Sequence, residues 1–238
     1  MITIACVYKT GPKFNVEYVD KLYDRLFFLL DGNFKFVCLT DSSKANSRSY
    51  RTEPLVFDLP GWWSKMELFR DNIYETEYVL YFDLDTLFMS DIDRLVKIIP
   101  EEDFMMLRGF NSAARALGDP PASGIMSWKV NSTKPNRIYS EFFKDPKGNM
   151  KRIYNERESK GAGQDGDQGF IGDLLGWDNI PKLQDYLPRK YIIGKKEAKK
   201  FKTSPPCHIV AWSGNPPLHE VANSDEGELN LRWVKEKW

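Results

Sequence analysis

The sequence predicts a single α/β domain with a mostly parallel central sheet flanked by helices. Three observations predict it. Short β-branched and aromatic runs alternate with helix-period segments through the first half of the chain, the rhythm of βαβ units stacked into a sheet. Tyr78 to Phe82 is an unbroken apolar run, the pattern of a strand covered on both faces. The 238 residues are 42% hydrophobic and 29% charged, enough for one sizeable core, and no internal repeat or shift of composition marks a second domain.

The elements follow in order. Ile2 to Val7 reads as a first buried strand, closed by a turn at Tyr8-Lys9-Thr10-Gly11-Pro12. Val19, Leu22, Tyr23, Leu26 and Leu30 recur at helical spacing, and Asp31-Gly32 ends that helix. Phe34 to Leu39 is a second strand, ending at Thr40-Asp41 and a polar loop from Ser42 to Thr52. Leu55 to Leu59 reads as a third strand, broken by Pro60-Gly61, and Ser64 to Asp71 as a short helix. After Tyr78 to Phe82, Ser90 is placed to cap a helix through Ile99. Asp103 to Leu107 and Gly124 to Trp128 are further strands, and the Gly-, Pro- and Ala-rich stretch between them reads as a mobile lip. Ile138 to Phe143 is helical, and the polar, charged segment 144–163 reads as a flexible flap. Asp165 and Gln168 match a capping box for a helix to about Leu175. Arg189 to Lys202 is basic, with Tyr191 and Phe201 interleaved. His208 to Trp212 is a late strand, and Leu229 to Trp238 a terminal helix.

Bulk properties narrow the partners. The formal net charge is zero, so nothing demands nucleic acid as a bulk electrostatic partner. Cys6, Cys38 and Cys207 lack zinc spacing, and the first two fall in core strands, where a free thiol behaves as a small hydrophobe. A reducing cytoplasm is the expected setting. The chain starts at once on a strand, and no apolar run approaches the roughly 18 residues of a membrane span. Aromatic residues make up 14% of the chain, seven of them Trp, which suggests rings lining a pocket as well as a core.

The chemistry concentrates where the Tyr78 to Phe82 run ends. Asp83 and Asp85 lie two residues apart, and on an extended chain both point to one side. Two unpaired carboxylates beside a core strand are costly unless something positive neutralises them. Oxygen ligands favour Mg²⁺, Mn²⁺ or Ca²⁺ over zinc, and ligands in open α/β sheets gather just beyond the strands' carboxyl ends. Trp62-Trp63-Ser64-Lys65 offers a lysine at a helix start, suited to phosphate or to a plain solvated face. Asp167 sits between Gly166 and Gln168-Gly169 at another helix start, and Ala122-Ser123-Gly124 is a small-residue approach to a strand. His208 and His219 are the only histidines.

Together these pieces resemble a known family. Tyr-Phe-Asp-Leu-Asp-Thr (81–86), Gly-Trp-Trp-Ser-Lys-Met-Glu-Leu-Phe (61–69), Ser-Gly-Ile-Met-Ser-Trp (123–128) and Asp-Gln-Gly-Phe (167–170) are similar, in kind and order, to motifs of GT-A glycosyltransferases. The nearest likeness is to the glycogenin-like, family 8-like retaining group and its bacterial and phage relatives. Ile-Val-Ala-Trp-Ser-Gly-Asn-Pro-Pro-Leu-His-Glu-Val (209–221) resembles the group's C-terminal phosphate and metal motif.

The resemblance implies a Rossmann-like GT-A sheet, with a nucleotide-binding half over 1–90 and a sugar and acceptor half over 91–238. It implies a Mn²⁺ or Mg²⁺ cofactor on Asp83 and Asp85, and a nucleotide-sugar donor of the uridine diphosphate type. The donor would meet Tyr8, Lys9, Thr10, Asp41, Lys65, Asp83, Leu84, Ser123, Gly124, Gly214 and Asn215. Asp167, Gln168 and Lys65 would serve the reacting centre. The acceptor would be a glycan, a protein or a small molecule, with modified DNA ranked behind them. One departure stands out. The family usually has a metal-binding His immediately or a few residues before the Gly of the last motif, where this chain has Ala211, Trp212 and Ser213. Pro217-Leu218 likewise stands in place of a basic residue and proline, so His208 or His219 is the substitute third ligand.

Two alternatives share these residues. Asp83-Leu84-Asp85-Thr86 fits the nucleophile motif of haloacid dehalogenase-type phosphatases, with Asp83 phosphorylated, although that motif normally ends a domain's first strand. A sugar-nucleotide or nucleic-acid binding module without turnover is the non-enzyme reading.

Overall fold

The computed structural model describes residues 1–47, 50–110, 120–160, 165–223 and 231–238. Most of the expected lip, the end of the expected flap and the start of the expected terminal helix lie outside these residues. The strands are β1 (Thr3–Tyr8), β2 (Lys35–Thr40), β3 (Arg51–Pro54), β4 (Tyr78–Phe82), β5 (Thr86–Phe88), β6 (Phe104–Arg108), β7 (Pro121–Lys129), β8 (Ile192–Gly194) and β9 (Ile209–Ala211). The helices are α1 (Val16–Leu29), α2 (Asp93–Ile98), α3 (Thr133–Lys144), α4 (Pro146–Lys160), α5 (Gly166–Leu175), α6 (Leu183–Tyr186), α7 (Lys195–Ala198), α8 (Leu218–Asn223) and α9 (Arg232–Lys237). Among the described residues no helix is long and apolar enough to cross a membrane.

The main sheet has six strands in the order β3-β2-β1-β4-β7-β6, and a small sheet runs β5-β9-β8. β3, β2, β1 and β4 are mutually parallel, while β7 is antiparallel to both its neighbours. The chain moves outward from β1 to β3 and then returns to place β4 on the other flank of β1. That reversal is a topological switch point, where two loops diverge and leave a crevice.

Both faces of the sheet are covered, which is why β1 and β4 read as continuous apolar runs. Ile4, Cys6, Leu80 and Phe82 face a core shared with α1, α2 and the small sheet. Ala5, Val79 and Tyr81 face a second core built with the 3₁₀ segment Gly61–Phe69, α3 and α5. Within α1, Tyr18, Val19, Leu22 and Leu26 are buried on one stripe. Asp31 and Gly32 then turn left-handed at φ 48° and 66°, and the Gly32 N–H reaches back to the Phe27 carbonyl at 3.0 Å.

Several expectations are corrected. The third strand is Arg51–Pro54, not Leu55 to Leu59. It is an edge strand beside β2 with Arg51 and Glu53 paired at its surface, so no apolar pattern announces it. Residues 55–59 leave the ladder because the fully buried Glu67 carboxylate accepts the Val56 and Phe57 N–H groups at 2.7 and 3.0 Å. Ser90 caps nothing: its hydroxyl pairs with His208 Nδ1 at 2.7 Å, and α2 starts after Ile92.

The expected flap is largely the helix α4. Asp145 Oδ1 accepts the Gly148 N–H at 2.9 Å at its start, Ile153 enters the core, and Arg152 pairs with Asp173 of α5 at 3.0 Å. The capping box fails as well. Asp165 is the N-cap of α5 but makes no side-chain cap bond, and Gln168 Oε1 instead accepts the Ser123 N–H at 3.4 Å. The basic Arg189 to Lys202 stretch contains β8 and α7, with Tyr191, Ile192, Ile193 and Lys195 buried.

Candidate active site

β4 delivers its carboxylates to the switch point. The strand stops at Phe82, and Asp83 to Asp85 form a turn closed by the Thr86 N–H on the Asp83 carbonyl at 3.1 Å. It is this turn, not an extended chain, that brings both carboxylates to one cavity. The Asp83 N–H bonds the Gly124 carbonyl at 2.8 Å, tying the turn to β7. At Gly124 an added Cβ would sit 3.4 Å from Asp83 Oδ2, so the small residue keeps the carboxylate's surroundings open.

The cavity holds about 370 Å³ and is lined by Lys65, Asp83, Asp85, Ser123, Gly124, Asp167 and Gln168. Thr86, Asp165, Trp62, Phe110, Trp212 and Ser213 complete much of its wall. Trp62 lies against the start of α5, where Gly166 has φ +70° and a Cβ would fall 2.4 Å from the indole nitrogen. Only glycine fits both demands there.

Lys65 is the fixed cation. Its Nζ lies 2.8 Å from Asp83 Oδ1 and 3.7 Å from Asp167 Oδ2, and it donates to Ser123 Oγ at 3.2 Å. Burial works against its charge, but Asp167 and Asp83 outweigh burial and hold its pKa above the ordinary lysine value. Asp83 Oδ1 also accepts the Tyr81 hydroxyl at 2.5 Å.

Asp85 is 6% exposed and meets Lys13 Nζ at 3.0 Å. Burial, then the neighbouring Asp83, pushes its pKa up to about 6 against the pull of Lys13 and Lys65. Burial likewise raises Asp167, opposed chiefly by Lys65. Asp167 Oδ2 is buried with no hydrogen-bond partner. Such an atom in a cavity wall is a place for a ligand's positive charge or donor.

The other expected residues divide. Thr10 donates its N–H and hydroxyl to Asp41 at 2.8 and 2.9 Å, and Lys9 lies 3.1 Å from the same carboxylate. With the buried Tyr8 they cluster at the carboxyl ends of β1 and β2, without lining the cavity itself. Leu84 is 5% exposed and packs in the core. Gly214 and Asn215 follow the cavity-lining Ser213 directly, and the Asn215–Pro216 peptide is cis.

Neither histidine reaches the carboxylates. His208 is stacked on Tyr191 at 4.0 Å and bonded to Ser90, while His219 Nδ1 pairs with the Tyr18 hydroxyl at 2.7 Å. Among the described residues no set of three His, Cys, Asp or Glu side chains is placed to hold a metal ion.

Two lysines escaped the sequence reading. Lys13 stands just past the turn after β1, and its position beside a switch point was the available signal. Lys195 was hidden in the basic stretch. Its Nζ donates to the Asn215 and Pro216 carbonyls at 2.6 and 3.2 Å, and burial, then Lys199 and Lys13, lowers its pKa to about 8.

A mostly parallel sheet with this strand order, a carboxylate turn at its switch point and a facing helix start define the GT-A glycosyltransferase fold. Solved structures of similar shape include the galactosyltransferase LgtC in complex with donor and acceptor sugar analogues. It has a TM-score of 0.64 and 11% identity, and the match covers 98% of this chain and 93% of that one. The glycosyltransferase GlyE of Streptococcus pneumoniae TIGR4 gives a TM-score of 0.58 at 15% identity, covering 98% of this chain and 59% of that one. No family model and no curated protein sequence matches the chain.

Proposed function

We propose that the chain is a glycosyltransferase that moves a sugar from a nucleotide-diphosphate donor to an acceptor hydroxyl. One observation carries the reading: Lys65, Asp83, Asp85, Ser123, Asp167 and Gln168, from four separate parts of the chain, line a single cavity at the switch point. The fold adds support, since LgtC, of similar shape, was solved with donor and acceptor sugar analogues.

The donor's base and ribose are assigned to the Tyr8, Lys9, Thr10 and Asp41 cluster, and its diphosphate to the space between Asp83–Asp85 and Gly214–Asn215. The oxygens of Asp83 and Asp85 suit a hard cation such as Mn²⁺ or Mg²⁺, which takes its remaining ligands from phosphate and water. In that form the residues fit such an ion. When bound, it would supply electrostatic stabilisation of the leaving diphosphate. Lys65, locked between Asp83 and Asp167, is a preorganised positive charge beside the donor. Asp167 and Gln168 flank the sugar: the unbonded Asp167 oxygen steadies positive charge at the anomeric carbon, or accepts the acceptor's proton if the reaction inverts. Trp62, Phe110 and Trp212 keep the wall apolar and limit water. The acceptor is a glycan, a protein or a small molecule.

The phosphatase alternative loses ground. β4 is the fourth strand of the chain, and Asp83 Oδ1 already holds Lys65 and Tyr81. The test is a panel of sugar nucleotides with Mn²⁺, following nucleotide release and sugar transfer. Turnover is expected with at least one donor, and loss of about 100-fold or more in Asp167→Asn and in Asp85→Asn. Unchanged turnover in both variants would overturn the assignment.

A further inference from the structure

The carboxylates at the exit of β4 are not bare. Lys65, with a side chain only 12% exposed, is held on Asp83 by surrounding contacts. Lys13 differs: it is 41% exposed and reaches in from the surface to Asp85, whose side chain is 8% exposed. Lys195 is buried and lies within electrostatic reach of both Asp85 and Lys13. Among the carboxylates of the cavity wall, Asp83 and Asp167 thus share Lys65, and Asp85 is held by Lys13.

These pairings decide what the site accepts. A free divalent cation finds Asp83 and Asp85 already paired with lysines, two carboxylates instead of three ligands, and Ala211 in the cavity wall. It would also have to expel an ammonium from Asp85. A nucleoside diphosphate alone brings negative charge to a cavity wall that carries Asp83, Asp85, Asp165 and Asp167. Arriving together, cation and diphosphate largely cancel. The cation can then take Asp85 while the released ammonium finds phosphate oxygens, a pairing at least as strong as the one it leaves.

We propose that Lys13 occupies the cation position at Asp85 in the ligand-free protein, so that the site takes a divalent metal only as a metal–nucleoside diphosphate complex, with Lys13 passing from Asp85 to the diphosphate. The inference rests on the donor-site reading above. Lys13 is a binding and positioning residue in this account, and its exchange involves ion pairs alone.

The experiment is calorimetric titration of the whole chain with MnCl₂ alone, with UDP alone and with UDP in excess Mn²⁺, free Mn²⁺ being counted by electron paramagnetic resonance. Wild-type protein is expected to bind Mn²⁺ alone about tenfold or more weakly than in the presence of UDP. In Lys13→Met, Mn²⁺ alone should bind about tenfold tighter than to wild type, while UDP in Mn²⁺ binds several-fold more weakly. Lys13→Arg, which keeps the charge, should retain the wild-type exclusion of free Mn²⁺, and thermal melts of all three proteins report their folding. Equal Mn²⁺ affinity in Lys13→Met and wild type, with Mn²⁺-dependent UDP binding intact, overturns the Lys13 proposal and spares the donor-site reading. Failure of UDP to bind any of the proteins, with or without Mn²⁺, overturns the donor-site reading and this inference with it.

Discussion

Asp85 has an acidity that burial sets first and the neighbouring carboxylate second. Burial and the adjacent Asp83 carry its pKa to about 6, above the ordinary value near 3.9 that it has in an unfolded chain. A carboxylate raised on folding favours the folded state most below its unfolded pKa, and that advantage is lost as pH rises through 6. The metal- and nucleotide-free protein therefore loses stability between about pH 4 and 6, by up to about 3 kcal/mol from this group. Asp85→Asn mimics the protonated form. It should be more stable than wild type at pH 7.5, with the difference vanishing near pH 4, as read by urea denaturation at several pH values. Lys65 makes the opposite demand. Removing it as Lys65→Met strips Asp83 and Asp167 of their common counter-ion, so the melting temperature should fall, and transfer should drop about 100- to 1,000-fold. Wild-type rates in that variant would remove Lys65 from the site's machinery.

At the scale of elements, Glu67 decides how the chain enters the site. From within the 3₁₀ segment that also carries Lys65, its carboxylate receives two backbone N–H groups of residues 56 and 57 and meets Arg70 at 3.2 Å. The stretch Leu55 to Leu59 has the composition of a strand, yet a buried side chain supplies its acceptors and holds it off the ladder. Glu67→Ala leaves those donors and the Arg70 charge without it, at a cost of about 2–4 kcal/mol in chemical denaturation. Glu67→Gln keeps one acceptor oxygen and should cost less. The helix α4 shows the same principle from the other side. Its sequence is too polar to announce a buried face, but Ile153 in the core and Arg152 against α5 suffice to dock it.

For the molecule as a whole, the switch point between β1 and β4 positions the cavity. Lys13 follows β1, the carboxylate turn follows β4, and β7, antiparallel on the far flank of β4, brings Ser123 and Gly124 against that turn. Ligand binding there should brace both halves of the sheet. UDP with Mn²⁺ at about 100 times its dissociation constant stabilises the folded state by about 2.7 kcal/mol. For a chain of this length that is a rise in melting temperature of roughly 5–10 °C. Differential scanning fluorimetry with UDP and Mn²⁺, separately and combined, would read it, and only the combination should give the full shift.

The sequence by itself determined the α/β class, the buried strand Tyr78 to Phe82 and the pair Asp83 and Asp85 at its exit, because period and composition are local properties. It also named Lys65, Ser123, Gly124, Asp167 and Gln168, which the structure brings to one cavity. What tertiary structure alone decided was partnership: Lys13 on Asp85, Lys65 shared by Asp83 and Asp167, Glu67 on the 55–59 segment, and both histidines committed elsewhere. The physical reason is range. A side chain's propensity is written in its immediate neighbours, whereas the neutralisation of a buried charge depends on whichever distant residue the fold carries to within about 4 Å of it.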